Sequence, residues 1–301
     1  MASITEHYGI PGPVPFLDVD VDDDNLIFVD PHAVRRRVGP NPYALQARDC
    51  MSTFFTTVTA AVATPTGSSL WRDGEALLQQ FGEPRETRLG MSSKGVKGHG
   101  AAKVLGSRVW TALTGDVRAL VDVGVLGRLE ELPMFVSGID RDITSDITTR
   151  IIYGPLADFT AAMVAQYPQF RGHGRQVEAV TRQVWNPIMG RWEHRVVELP
   201  VVADEPLLLV PAGWARRWLL MSAGRYYETS ILDYAQLEQT VETSQGLLKP
   251  TKGLLKRDPN LGRGRVTNAR VTLRAHEHQN NLVANFTAFV DEKDEGIPKA
   301  A

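Results

Sequence analysis

"QVEAVTRQVWNPIMGRWEHRVVELPVVADEPLLLVP", residues 176–211, decides the fold. Its two outer runs, "QVEAVTRQVWNP" (176–187) and "RWEHRVVELPVV" (191–202), are rich in valine and tryptophan, and "PIMG" between them supplies the proline and glycine of a tight turn. "PLLLVP" (206–211) follows a second turn, "ADE", and reads as a third strand. The period of two places Val196 and Leu199 on opposite faces of an antiparallel sheet.

Working outward, helical patterns flank this sheet. Residues 43–63 and 70–81 show apolar helix spacing on either side of the breaker cluster "TPTGSS", and 101–131 holds two or three short helices. "PMFVSGI" (133–139) reads as strand-like, and Ser145 or Asp146 is placed to cap a long helix that Gly154-Pro155 kinks or breaks. Near the N-terminus, "VPFLDVDVDDDNLIFVDP" (14–31) alternates apolar and acidic residues and reads as a hairpin turning at "DDDN". From Tyr226 onward helical patterns dominate. The fold class is therefore α+β, a small, largely antiparallel sheet with helices before and after it. We place an α+β core domain at 1–222 and a helical, basic C-terminal region, packed on that core, at 223–301. The core should include Phe54, Val58, Val62, Leu77, Leu78, Phe135, Ile151, Ile152, Leu208 and Val210.

Composition is that of an ordinary globular chain: 43% hydrophobic and 23% charged over 301 residues, enough to build a sizeable core. The single cysteine, Cys50, lies in an apolar helical run and should be a buried thiol. With no leader pattern and no apolar run of about 18 residues, the expectation is a soluble, unprocessed, cytoplasmic protein that makes no use of a membrane.

The net charge of −2 conceals strong local asymmetry. Residues 18–30 carry six aspartates and no lysine or arginine. Residues 85–108 carry six basic side chains against Glu86, and 249–274 carry eight against Asp258. Such blocks can attract a polyanion, or can pair with acidic segments of the chain itself. On the first reading, DNA or RNA would meet Arg88, Lys94, Lys97, Lys249, Lys252, Lys256, Arg263 and Arg265.

Several chemistries are excluded by spacing. "HEH" (276–278) lacks the i,i+4 histidine pair of a helical zinc protease. "DVDVDDDN" has no glycine at the sixth place of a calcium loop and Val29 at the twelfth. The glycines and lysines of "GEPRETRLGMSSKGVKGHG" (82–100) do not follow the GxxxxGK[ST] order.

What remains is a set of carboxylates that could converge. Glu83, Glu86, Asp142, Asp146 and Glu198 are the candidate catalytic residues, with Asp142 and Asp146 as ligands of Mg2+ or Mn2+, because metal-dependent phosphodiester cleavage needs two or three acids around a cation. Each also has a structural reading: Asp146 as a helix cap, Glu198 as an exposed strand residue, Glu83 at a helix end. Their order loosely resembles the PD-(D/E)xK nucleases. The third element departs from that pattern, since "EHR" (193–195) puts Arg195 where the lysine belongs.

"NLIFVDPHAVR", "GEPRETRLGMS", "FVSGIDRDITSDITTRII" and "ELPVVADEPLLLVPAGWARR" resemble a bacterial, largely actinobacterial, protein family associated with anti-phage or restriction loci, over residues 16 to about 290. In that family "LVP" is often followed by lysine; Ala212 stands there in this chain, which would imply an altered or inactive member if the lysine is functional. The resemblance implies a nucleic-acid-acting, nuclease-like component of a defence system. The alternative is a non-catalytic adaptor that binds partner proteins of such a complex.

Overall fold

The computed structural model describes residues 2–37, 39–82, 84–91, 99–172, 174–244 and 246–295. In chain order the elements begin with α1 (Ile4–Tyr8), β1 (Phe28–Val29), α2 (Pro31–Arg36), α3 (Tyr43–Val62), α4 (Ser69–Leu78) and α5 (His99–Thr114). There follow α6 (Arg118–Asp122), α7 (Leu132–Phe135), α8 (Arg141–Ile151) and α9 (Tyr153–Gln166). Strands β2 (Val177–Asn186), β3 (Arg191–Val202), β4 (Glu205–Pro206) and β5 (Ala215–Arg216) come next. The C-terminal part holds α10 (Ala223–Tyr226), a π-helical turn at Tyr227–Ile231, α11 (Leu232–Glu238), β6 (Val241–Thr243), β7 (Gly246–Leu248), α12 (Lys252–Leu255), α13 (Arg265–Glu277) and α14 (Leu282–Glu295). The class is α+β, with small antiparallel sheets among helices.

By internal contacts the chain divides into two compact units. Residues 1–110, 128–130 and 139–219 form one, and residues 111–127, 131–138 and 220–301 the other.

The first unit is organised on the β2–β3 hairpin, paired from Val177↔Pro200 to Asn186↔Arg191. Asn186 closes the tip by accepting from the N–H groups of Ile188 and Met189, both at 3.0 Å, and Gly190 supplies the positive φ of 60° that the turn needs. Alternation sorts the faces as expected: Val197 and Leu199 are buried, Val196 and Glu198 exposed. Toward the turn the opposite face, that of Val196, is covered as well: it carries the paired Trp185 and Trp192, which meet Phe54 of α3 at ring separations of 4.9 and 5.6 Å. Both indoles are satisfied, Trp185 Nε1 donating to Thr53 Oγ1 at 3.0 Å and Trp192 Nε1 to the Leu77 carbonyl at 3.1 Å. A second cluster gathers Tyr8, Phe16, Phe159, Phe170, Leu207 and Leu209.

Three expectations are corrected. "PLLLVP" does not extend the ladder, which ends after β4. Leu207, Leu208, Leu209 and Val210 are all buried, and their N–H and C=O groups go to scattered partners: Leu207 N to Pro200 O, Leu208 N to Glu86 O, Leu209 N to Thr160 Oγ1, and Val210 O to Leu17 N. A run buried on both sides satisfies its backbone where it can, and no neighbouring strand is required. "PMFVSGI" contains α7, not a strand. The acidic N-terminal stretch keeps its alternation, with Val19 and Val21 buried, but makes no hairpin. Its contacts are isolated bridges, Ser3↔Asp20, Phe16↔Pro211 and Asn25↔Leu89, while β1 pairs with β5. Asp18 accepts from Thr5 N at 2.8 Å and Ser3 Oγ at 3.0 Å, so the acid run closes onto the start of α1.

The α8–α9 break falls at Ile152, so Pro155 enters the first turn of α9, where its missing N–H costs nothing. The cap of α8 is Asp140, accepting from Ile143 N at 3.0 Å, which leaves Asp146 within the helix. Of the expected core, Leu77 is half-buried and the other nine residues are buried.

In the second unit, Tyr226 meets Phe135 at 5.6 Å and Phe286 at 5.1 Å, with its hydroxyl 2.8 Å from Thr272 Oγ1. Asn268 Nδ2 donates to the Met134 carbonyl at 2.9 Å. Among the described residues no helix is long and apolar enough to cross a membrane.

Candidate functional site

Helix α8 presents Asp142, Asp146 and Arg150 at successive i,i+4 positions, a spacing that lines them along one face. Gly82 and segment 84–91 lie along that face. At its far end Asp142 Oδ1 accepts from Met91 N at 2.9 Å, and a Cβ on Gly90, whose φ is 122°, would stand 2.9 Å from the same oxygen. Only glycine fits there. At its near end Arg150 Nε faces the Gly82 carbonyl at 3.4 Å.

Glu86 is the hub of the near end. Its Oε1 accepts from Arg182 Nε at 2.8 Å and from the Tyr153 hydroxyl at 3.3 Å. Arg150 lies within the field of both Glu86 and Asp146, and burial pushes its guanidinium below the ordinary arginine range. One of its nitrogens, Nη1, is buried without a hydrogen-bond partner. Burial drives the Tyr153 phenol up, helped by Glu86, and Arg182 is raised by its bond to Glu86 against the opposing effect of burial.

Segment 84–91 and α8 therefore bring Glu86, Asp142 and Asp146 into one strip, with a guanidinium standing among the acids. A divalent cation needs carboxylates turned on a common point and no fixed positive charge there. Here Glu86 is spent on Arg182, Asp142 on a backbone N–H, and Asp146 adds to the negative field around Arg150. This donor set does not fit Mg2+ or Mn2+. Among the described residues no group of three or more His, Cys, Asp or Glu side chains is placed to hold a metal ion. Glu198 stands apart on β3, exposed and 2.7 Å from Arg171 Nη2. Arg195, at the lysine position of the nuclease-like order, is taken up by α9 through Asp158 at 3.0 Å and the Gly154 carbonyl at 2.9 Å. Glu83, Lys94 and Lys97 lie outside the described residues.

The basic candidates divide. Arg88 is buried, in left-handed backbone with φ 56°, and binds Glu205 Oε2 at 2.5 Å. In the second unit Lys252 pairs with Asp233 at 2.6 Å, Lys256 with Glu228 at 2.7 Å, and Arg274 with Glu238 at 2.6 Å. The row of acids on 228–238 thus absorbs much of the block at 249–274. Arg265 Nε donates to the Pro133 carbonyl at 2.8 Å. Lys249 and Arg263 are exposed.

The family model for the domain of unknown function DUF8370 matches residues 12–221. The chain belongs to that family. The DUF8370 match takes in the whole α8 strip. No curated protein and no solved structure matches the chain.

Sequence reasoning missed Arg150, Arg182 and Tyr153, which turn the acid cluster into a balanced polar knot. The i,i+4 spacing of Asp142, Asp146 and Arg150 was a visible signal. It also missed Trp218, 67% exposed, against which Arg141 is stacked.

Proposed function

We propose that this DUF8370 protein is a nucleic-acid-acting component of a bacterial anti-phage or restriction system, and that it holds a strand without cutting it. The defence setting rests on the sequence resemblance. The observation that carries the binding reading is the Met91–Asp142 hydrogen bond. It fixes Met91 onto the first turn of α8, and α5 begins at His99; Lys94 and Lys97 fall between these two points in the sequence. Two lysines among glycines can approach a phosphate backbone closely. What supports the non-cleaving part is Arg150 and Arg182: guanidinium groups do not serve as bases, and Arg182 already occupies Glu86.

The test is incubation of the protein with single-stranded and duplex DNA and RNA, with Mg2+ or Mn2+ present. Retention at low salt with intact strands is expected. Cleavage that Asp146→Asn removes would overturn the non-cleaving reading, and no retention of any strand would overturn the nucleic-acid reading.

A second reading, the adaptor that binds partner proteins, has its own observation. All described residues of β6 and β7 are exposed, including Val241, Leu247 and Leu248, and Leu237 and Leu254 are exposed as well. An isolated two-stranded ribbon with apolar side chains in water is marginal and gains from a partner. Association through such a surface would persist at high salt, whereas a phosphate contact weakens.

A further inference from the structure

Among the described residues of the first unit, Trp218 is a large aromatic side chain left in water, 67% exposed, yet it is not a loose surface group. The Arg141 guanidinium carbon lies 4.2 Å from the Trp218 ring centroid and 4.6 Å from that of Phe28, which is fully buried. The three side chains form a layer: buried phenyl, guanidinium, exposed indole. Arg141 is itself held, as the first residue of α8 behind the Asp140 cap and through its Nη1, 3.3 Å from the Arg217 carbonyl. The ribbon that carries Trp218 is fixed by the Phe28↔Arg216 pairing and by Arg216, which approaches Asp30 at 3.7 Å. One face of the indole is thus pinned by a cation, and most of the remaining surface stays open to solvent.

We propose that Trp218 is a stacking platform for an unpaired nucleobase, and that the nucleic acid of the preceding section is single-stranded; this rests on that reading. A base inside a duplex has both faces covered by its neighbours, so an exposed indole face selects strands whose bases are free. The surroundings favour nucleic acid over a protein partner. Arg217 beside the indole is exposed and Arg141 lies beneath it, so two guanidinium groups accompany the ring where a phosphate backbone would follow the stacked base. Position agrees as well: Arg141, which carries the platform, is adjacent in sequence to Asp142, which accepts from Met91 N.

The test is fluorescence anisotropy at low salt with labelled 12-mer oligothymidylate, an abasic 12-mer with the same phosphates, and a 12-base-pair duplex, using the full chain and Trp218→Ala. The wild type should prefer oligothymidylate over the abasic strand. Trp218→Ala should lose about tenfold for oligothymidylate, or about 1.4 kcal/mol, and change little for the other two, so that the preference disappears. Its urea midpoint should equal that of the wild type, because the indole is mostly in water. If the wild type binds both single strands equally, or Trp218→Ala binds oligothymidylate as the wild type does, the platform is overturned while the nucleic-acid reading stands. If the wild type binds none of the three, the underlying reading fails. Oligothymidylate affinity unchanged in Trp218→Ala, together with loss of self-association in sedimentation, would make Trp218 a protein contact and overturn the platform too.

Discussion

Glu86, whose side chain is 13% exposed, binds Arg182 directly and shares the field around Arg150 with Asp146. Glu86→Ala leaves two guanidinium groups short of charge in a half-buried place. The expected loss is about 2 kcal/mol in urea unfolding, less than the 3–5 kcal/mol of a fully buried pair. An unchanged midpoint would contradict the knot. Cys50 offers a second residue-level test. Burial pushes its thiol up to about 12, and it packs in α3 with 2% exposure. Native protein should resist thiol reagents at pH 8 and react once unfolded. Tyr8 is raised to about 12 in the same way. Both folded values lie above the unfolded ones, about 9 to 10, so these groups contribute stability below that range that is lost as pH rises toward 12. Thermal unfolding should therefore shift down between pH 9 and 12, the two groups having no such effect from pH 6 to 8.

Among the elements, α4 lies so close to α3 on one side and α5 on the other that glycine is required at both contacts. A Cβ on Gly106 would lie 2.4 Å from the Leu78 carbonyl oxygen, and one on Gly74 would lie 2.5 Å from Ala61 Cβ. Gly106→Ala should destabilise by about 1–3 kcal/mol despite the better helix propensity of alanine, measured by chemical denaturation; stabilisation would show that the helices can move apart. Neither glycine could be singled out from sequence, because the need for it arises only where two helices meet. The β2–β3 hairpin, by contrast, was legible in full, since alternation and the "PIMG" turn are local signals. "PLLLVP" was misread because four apolar residues in a row look alike in a central strand and in a chain threaded through a core. The acid run at 18–24 showed its buried and exposed faces but not its partners, which are the residues around α1. Of the candidate site, Glu86, Asp142 and Asp146 were legible as a set. Their use as anchors was not, because the deciding groups are a backbone N–H at Met91 and arginines from two other places in the chain.

For the whole molecule, charge runs in the sequence overstate the charge on offer. Residues 220–301 hold eleven basic and ten acidic side chains, and Lys252, Lys256 and Arg274 are each paired to an acid on 228–238. Reversing Lys252 and Lys256 to glutamate sets like charges against Asp233 and Glu228 and should lower stability by about 1–2 kcal/mol. Lys249→Glu, at an exposed position, should stay within about 0.5 kcal/mol of the wild type. Differential scanning calorimetry separates the two; equal stability of both variants would mean the pairs are not structural. The central claim, a chain that holds nucleic acid by its phosphates and leaves it whole, is tested most directly by titrating a labelled single strand across 50–300 mM salt with Mg2+ present, then running the strand on a denaturing gel. The account predicts affinity that falls linearly on logarithmic axes, about −0.7 per neutralised phosphate, and a strand of unchanged length. No association at the lowest salt, association indifferent to salt, or a shortened strand would contradict it.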